Sequence, residues 1–251
     1  MTTVALYHAK GGVGKTSAAV NLSYLCAAGG HKTLLWDLDP QASATFYCKI
    51  RPKLSVGVRK MVKGSADVKS SVKHTEYENL DLLPAAFSER KMDIVLSRMK
   101  KPKRRIRGIV DRLEDRYRYL FIDCPPGFTL LSDNIFRAAD IILIPLIPTT
   151  LSIRTYVRIM KYFSDKDLDS GRVFPFFSLV DRRKKMHRET VEAYTGGGRY
   201  LRTSIPYSSD IEKMGATLAP VLLSAPRSKA AEAYRHLWEE VGEIKKGDTR
   251  A

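Results

Sequence analysis

An α/β fold, with one mostly parallel, twisted sheet covered by helices on both faces, is what this sequence predicts. Three observations carry it. Short, near-continuous apolar runs recur along the chain, as strands buried on both faces require. Stretches with helical apolar periodicity separate most of them, the alternation expected of a parallel sheet. A glycine-rich loop joins the first apolar run to the first helical one, at residues 10–16.

Taken in order, residues 3–7 form a short β-rich strand that leads straight into that loop. Lys15–Ala28 reads as a helix with Ala18, Ala19, Leu22, Leu25 and Cys26 on its apolar face, and Gly29-Gly30 ends it. Residues 33–36, 80–83, 119–122, 141–144 and 173–180 are further apolar strands. Residues 133–139, 151–163 and 228–244 carry helical patterns between and after them. In the last of these, Ala230, Ala233, Tyr234, Leu237, Trp238, Val241 and Ile244 make a stripe that predicts docking on the core. A polar tail over 245–251 follows. Residues 49–73 are polar and weakly periodic, which predicts a surface excursion between the second and third strands. With no repeat, low-complexity linker or composition break, residues 1–251 read as a single domain.

Composition narrows the function classes. A hydrophobic content of 44% suits a chain that buries a sizeable core. No apolar run approaches the ~18–20 residues that span a bilayer, and the N-terminus reads as a strand without a secretory leader. Cys26, Cys48 and Cys124 lie far apart without metal-ligand spacing, so a disulfide scaffold or zinc site is not expected and a reducing cytoplasm is. The 43 Lys and Arg against 27 Asp and Glu give +16, an excess that favours a polyanionic partner. Much of it is clustered. Arg98, Lys100, Lys101, Lys103, Arg104, Arg105 and Arg107 put seven cations into ten residues, and Arg182, Arg183, Lys184, Lys185 and Arg188 form a second group. Such patches grip nucleic-acid phosphates without reading sequence; a solvated basic face is the lesser alternative for either cluster.

The strongest chemical signal is Ala9-Lys10-Gly11-Gly12-Val13-Gly14-Lys15-Thr16. Glycines let the backbone wrap a phosphate with its N–H groups turned inward. The following helix presents its positive end to the same anion. Lys15 is placed to reach the β- and γ-phosphates of ATP and the Thr16 hydroxyl to ligate Mg²⁺. Ala9 stands where the strict P-loop pattern has glycine, but the strand before and the helix after are those the motif requires. Carboxylates that end apolar strands, Asp37 and Asp123, suit a site for Mg²⁺ or its waters.

The second lysine in the loop, Lys10, resembles the deviant Walker A motif of the ParA/MinD family of ATPases. Leu34-Leu35-Trp36-Asp37-Leu38-Asp39-Pro40-Gln41 resembles that family's first switch, and Tyr119-Leu120-Phe121-Ile122-Asp123-Cys124-Pro125-Pro126-Gly127 its Walker B strand and second switch. Asn134 and the run from Ala138 to Pro145 match its next helix and strand, so the likeness covers most of the chain, in the manner of the short, Soj-like ParA proteins. The resemblance implies that residues 10–17, including Val13 and Ser17, hold ATP, and that Asp181, Arg183 and Pro206 lie near the adenine. It further implies that Thr16, Asp37 and Asp123 surround Mg²⁺, that Asp39 orients the attacking water, and that Lys10 reaches a partner's phosphates across an ATP-sandwiched homodimer.

By the same resemblance the expected activity is slow ATP hydrolysis, accelerated by a ParB-like or other cargo-adaptor protein, on a nucleoid bound through non-specific double-stranded DNA contacts. Lys101, Lys103, Arg104, Arg105, Arg183, Lys184, Lys185 and Arg188 are the candidate DNA-binding cations. One departure stands out: after Ile205-Pro206, ParA proteins commonly carry arginines implicated in DNA contact, whereas Tyr207-Ser208-Ser209-Asp210 follows here. Three other readings compete. A MinD-like membrane-docked ATPase needs a terminal basic amphipathic helix, and Glu232, Glu239, Glu240 and Glu243 argue against one. An iron–sulfur reductase needs suitably spaced cysteines. A small-molecule ligase needs a second substrate site, of which the sequence shows no sign.

Overall fold

The computed structural model of this protein describes residues 1–85, 92–196 and 198–248, the side chains of the last four excepted. In chain order its elements begin with β1 (Thr2–Leu6), α1 (Lys15–Ala28), β2 (Thr33–Asp37), α2 (Ser43–Tyr47), α3 (Val58–Lys63), β3 (Lys73–His74) and β4 (Leu80–Leu83). They continue with α4 (Met92–Ser97), α5 (Arg105–Val110), β5 (Tyr119–Asp123), α6 (Leu130–Ala138), β6 (Ile141–Leu146) and α7 (Thr150–Asp165). After β7 (Val173–Phe177) come α8 (Lys185–Thr195), three single turns, α9 (Ser209–Glu212), α10 (Met214–Thr217) and α11 (Val221–Ser224), and finally α12 (Lys229–Asp248).

The strands form one sheet in the order β3-β4-β2-β5-β1-β6-β7. Every pair is parallel except β3 with β4. Every residue of β2 and β6 is buried, which is why these strands read as unbroken apolar runs rather than alternating ones. Two cores result. Met61, Ile106, Ile135 and Phe163 pack on one face of the sheet, and Leu22, Cys26, Tyr234 and Leu237 on the other. α1 is buried on most sides because α12 and α11 cover what the sheet does not. Its Asn21 carboxamide bridges inward, donating to the Ser17 carbonyl at 2.8 Å and accepting from the Val221 N–H at 2.9 Å.

Several boundaries differ from the sequence expectations. Residues 49–73 are not a surface excursion: α3 and a 3-10 turn at Val68–Ser71 bury Val58, Met61, Val62 and Val68 in the core. A helix of six residues is too short to show periodicity. The seventh strand stops at Phe177, where Leu179 takes a left-handed φ of 55°, and Val180 then pairs with Pro206 in an isolated parallel bridge. α6 begins at Leu130, earlier than its periodicity implies, because Thr129 and Ser132 close a reciprocal capping box. Part of the expected polar tail belongs to α12, which runs to Asp248; residues 249–251 lie outside the described set. The apolar stripe of α12 is consumed by packing, with Ala230, Tyr234, Leu237 and Val241 all buried. No described helix is long and apolar enough to cross a membrane.

Candidate functional site

The inner strand β1, between β5 and β6, delivers the chain to the carboxyl edge of the sheet, where open parallel α/β sheets bind ligands. There it turns through residues 8–14 into α1. Gly12 and Gly14 have φ of 72° and 94°, the left-handed region that glycine tolerates best. A Cβ on Gly14 would also stand 2.7 Å from the Ser178 hydroxyl, which would have to turn away. Lys15 opens α1, is 5% exposed, and donates from Nζ to the Lys10 carbonyl at 3.1 Å. The Lys10 N–H in turn donates to Nδ1 of buried His8 at 3.0 Å, while the Lys10 side chain is exposed. Burial pushes the His8 imidazole down to about 4, with the Lys15 and Lys10 cations acting in the same direction and the Lys10 carbonyl, 3.4 Å from Nδ1, opposing them. His8 is therefore a neutral acceptor that shapes the loop, a role that no motif or spacing in the sequence marks.

The register of β2 on β5 sets Asp37 directly beside Asp123. The Asp123 carboxylate is fully buried, and among the described residues neither oxygen has a partner at full hydrogen-bond geometry, the Thr16 hydroxyl lying near it. Burial first, and the neighbouring Asp37 second, push its pKa well above the usual carboxylate range; the Thr16 hydroxyl and Lys15 ammonium oppose them. Asp37 is differently engaged. Its Oδ2 accepts from the Thr45 N–H at 2.8 Å and hydroxyl at 2.7 Å, and its Oδ1 from the Asp39 N–H at 3.1 Å. Burial still raises it to about 6. Both Asp37 oxygens thus anchor the segment over residues 39–45. Asp39 is half-exposed, accepts from the Gln41 N–H at 3.0 Å, and faces a cleft of ≈ 700 Å³ that the glycine loop, Lys15, Thr16, Tyr47, Pro125 and Pro126 also border.

These residues fit a Mg²⁺-nucleotide. An unpartnered carboxylate buried beneath Thr16 is costly unless a cation or its water answers it, and the loop above supplies N–H groups and Lys15 for phosphates. Among the described residues no three His, Cys, Asp or Glu side chains converge on a metal site. A cation here would be held by Thr16, by Asp123 directly or through water, and by phosphate oxygens, which is how Mg²⁺ is commonly bound. Such a cation neutralises charge on the transferred phosphoryl group. Lys15 would do the same from the protein side.

Val13 is buried as loop packing, whereas Ser17 borders the cleft, its hydroxyl donating to the Gly14 carbonyl at 3.1 Å. Other expected residues sit apart. Asp181 and Arg183 do not border the cleft: their side chains grip each other at 2.9 and 3.0 Å, and the Arg183 side-chain and backbone bonds hold Asp181 at about 2. Pro206 lines a second cleft with Val180, Arg182 and Lys229. Leu179, Ile211 and Glu212 close the nucleotide cleft at that end instead. No local pattern marks these three, because the segments that carry them, the turn at Leu179 and helix α9, are joined by the Val180–Pro206 bridge.

The cation clusters also separate. Arg107 pairs with Asp111 at 2.7 Å, and Arg105 donates to the Lys100 carbonyl. Arg98, Lys100, Lys101, Lys103 and Arg104 are exposed with no ion pair among the described residues. In the second cluster Arg183 is paired with Asp181, Lys185 lies 3.5 Å from Glu189, and Arg188 donates to the Arg182 and Arg183 carbonyls. The exposed Arg182 and Lys184 are left unpaired there among the described residues. All three cysteines are buried and outside any disulfide, and they do not meet as a cluster.

Residues 1–167 match the family model described as AAA domain. The chain is 30% identical to the sporulation initiation inhibitor protein Soj of Bacillus subtilis over 250 residues, covering 95% of this chain and 97% of Soj. It is 29% identical to the chromosome partitioning protein ParA of Caulobacter vibrioides over 253 residues, covering 96% and 94% of the two chains. Its fold is similar to that of a Mycobacterium smegmatis protein described as cobyrinic acid a,c-diamide synthase, solved with bound ADP and magnesium. That match has a TM-score of 0.81 and 24% identity, covering 98% and 96% of the chains. This last likeness shows a shared fold and brings no ligase chemistry with it.

Proposed function

This chain belongs to the ParA/MinD family of P-loop ATPases, and from that premise we propose that it is a partition or positioning ATPase, one domain over residues 1–251, that works as an ATP-sandwiched homodimer on DNA. The observation that carries the dimer is the split fate of two lysines in one loop. Lys15 is buried and turned into the loop, whereas Lys10 stands exposed at its rim with its main chain held on both sides. A cation so presented suits the phosphates of a facing copy. Residues 10–17 and Mg²⁺ held at Thr16 and Asp123 bind ATP, with Asp39 orienting the water.

Non-specific double-stranded DNA is the proposed track, gripped chiefly by the unpaired cations of residues 98–104, with Arg182 and Lys184 as a second contact. Dimerisation doubles such patches and raises avidity without new chemistry. A ParB-like or cargo-adaptor protein is the proposed accelerator, and the cytoplasmic nucleoid the proposed location. The test measures DNA and anionic liposome binding with ATP and with ADP. ATP-dependent DNA binding should weaken log-linearly with salt, with a slope of about −0.9 per phosphate contacted. Charge reversal of Lys101, Lys103 and Arg104 should flatten that slope. Absence of ATP-dependent DNA binding at low salt, with liposome binding in its place, would overturn the DNA reading.

A further inference from the structure

Residues 124–127 connect the buried Asp123 to α6 and supply Pro125 and Pro126 to the wall of the nucleotide cleft. Both ends of this segment are tied to β1 and the loop that follows it. The Cys124 N–H donates to the Leu6 carbonyl at 3.3 Å, and the Gly127 N–H to the Ala9 carbonyl at 3.1 Å. The Tyr7 hydroxyl closes the second tie by donating to the Gly127 carbonyl at 2.9 Å. Both main-chain groups of Gly127, which sits at a φ of 98°, are thus held by residues 7–9. Between the tied ends stand only two prolines, which have a fixed φ and no N–H of their own to bond elsewhere.

The tie is aimed by packing. Tyr7 is fully buried, and its ring meets Phe136 of α6 edge-on at 4.6 Å and Phe128 at 6.4 Å. Phe128 packs in turn on Tyr162 of α7 at 5.0 Å. Burial holds the phenol above its ordinary range, so the hydroxyl stays a donor. Asp39 and the two prolines border one cleft, so a shift of the proline wall alters the room beside Asp39.

We propose that Tyr7 is a positioning residue for ATP hydrolysis: its hydroxyl fixes the Pro125 and Pro126 wall to the phosphate loop, so that the cleft is set before the reaction begins. Preorganisation of this kind acts on the transition state and leaves ground-state binding largely alone. The inference rests on the ATPase activity, and the experiment separates the two. Tyr7→Phe deletes one oxygen and keeps every ring contact. Losing one net hydrogen bond should lower kcat about fivefold, with KM and nucleotide affinity within about twofold. Amide exchange at Gly127 and Phe128 should quicken by a similar factor, with α1 and β6 unchanged. Tyr7→Leu, which also removes the ring, should in addition lower thermal stability. Unchanged kcat, an equal loss of kcat and affinity, or unaltered exchange in Tyr7→Phe would each overturn the role. A wild-type protein without turnover would count against the ATPase reading instead, and the exchange measurement would still decide whether Tyr7 holds the wall.

Discussion

The Lys15 ammonium donates to the Lys10 carbonyl at 3.1 Å, so the buried cation of the loop is held by the main chain of the exposed one. A phosphate in the loop competes for that same ammonium. We predict that Lys15→Ala removes the principal cationic partner of the γ-phosphate and lowers ATP affinity by about a hundredfold, as loss of a partly buried charge pair implies. Calorimetric titration measures this. Affinity equal to wild type would remove the loop from nucleotide binding.

Lys10→Ala should separate binding from assembly. Its exposed side chain makes no contact that holds its own loop together, since only main-chain groups of Lys10 are bonded. ATP affinity of the variant should stay within about threefold, a change of under 1 kcal/mol. Light scattering with ATP-Mg²⁺ should find monomer where wild type is dimeric. Dimerisation at wild-type strength would assign Lys10 to the solvated surface.

Asp39→Ala should bind ATP and fail to turn it over. The side chain borders the cleft and, among the described residues, is tied only to the Gln41 N–H, so its loss spares Lys15 and Thr16. Removal of a water-orienting carboxylate should slow hydrolysis about a hundredfold or more. Single-turnover kinetics test this, and a near-normal rate would place the chemistry elsewhere.

Asp123→Asn should raise stability while removing Mg²⁺-dependent hydrolysis. Burial disfavours the charged form of Asp123, whose pKa in the fold is raised. A raised group contributes its stability fully below the ordinary carboxylate pKa and loses it as pH rises through the folded value, so at neutral pH the ionised form is a liability. Asp37, raised from 3.8 to about 6, loses its contribution over that interval. We expect the variant's Tm at pH 7 to rise by a few degrees, since ~1 kcal/mol moves Tm about 2–4 °C in a chain of this size. Its fall in Tm with increasing pH should be shallower than that of wild type. A lower Tm at pH 7 would show that Asp123 has a partner in solution that relieves its burial.

Thr45→Val should destabilise the first switch. The Thr45 hydroxyl donates to Asp37 at 2.7 Å and accepts from the Ala85 N–H at 3.0 Å, both buried. Leaving those groups unanswered should cost about 2 kcal/mol, or roughly 4–8 °C in Tm. Differential scanning calorimetry gives the value, and a shift below 1 °C would mean that water replaces both bonds.

The sequence by itself determined the sheet, the loop and the two carboxylates, because each is a local matter. Strands buried on both faces must be apolar throughout, a phosphate loop must be glycine-rich between strand and helix, and a carboxylate ending such a strand lies at the site edge. Only the tertiary structure decided which of these groups are free to act. Register placed Asp37 against Asp123, but Thr45, eight residues away along the chain, occupies Asp37 and leaves Asp123 unanswered. Nothing in the spacing of Asp181 and Arg183 reveals that they bond each other rather than face the cleft. Leu179, Ile211 and Glu212 reach it through a bridge between residues 180 and 206. The Tyr7–Gly127 tie spans 120 positions. Hydrogen-bond partners are chosen by what folding brings within 3 Å or so, and over such separations periodicity and motif carry no information about that choice.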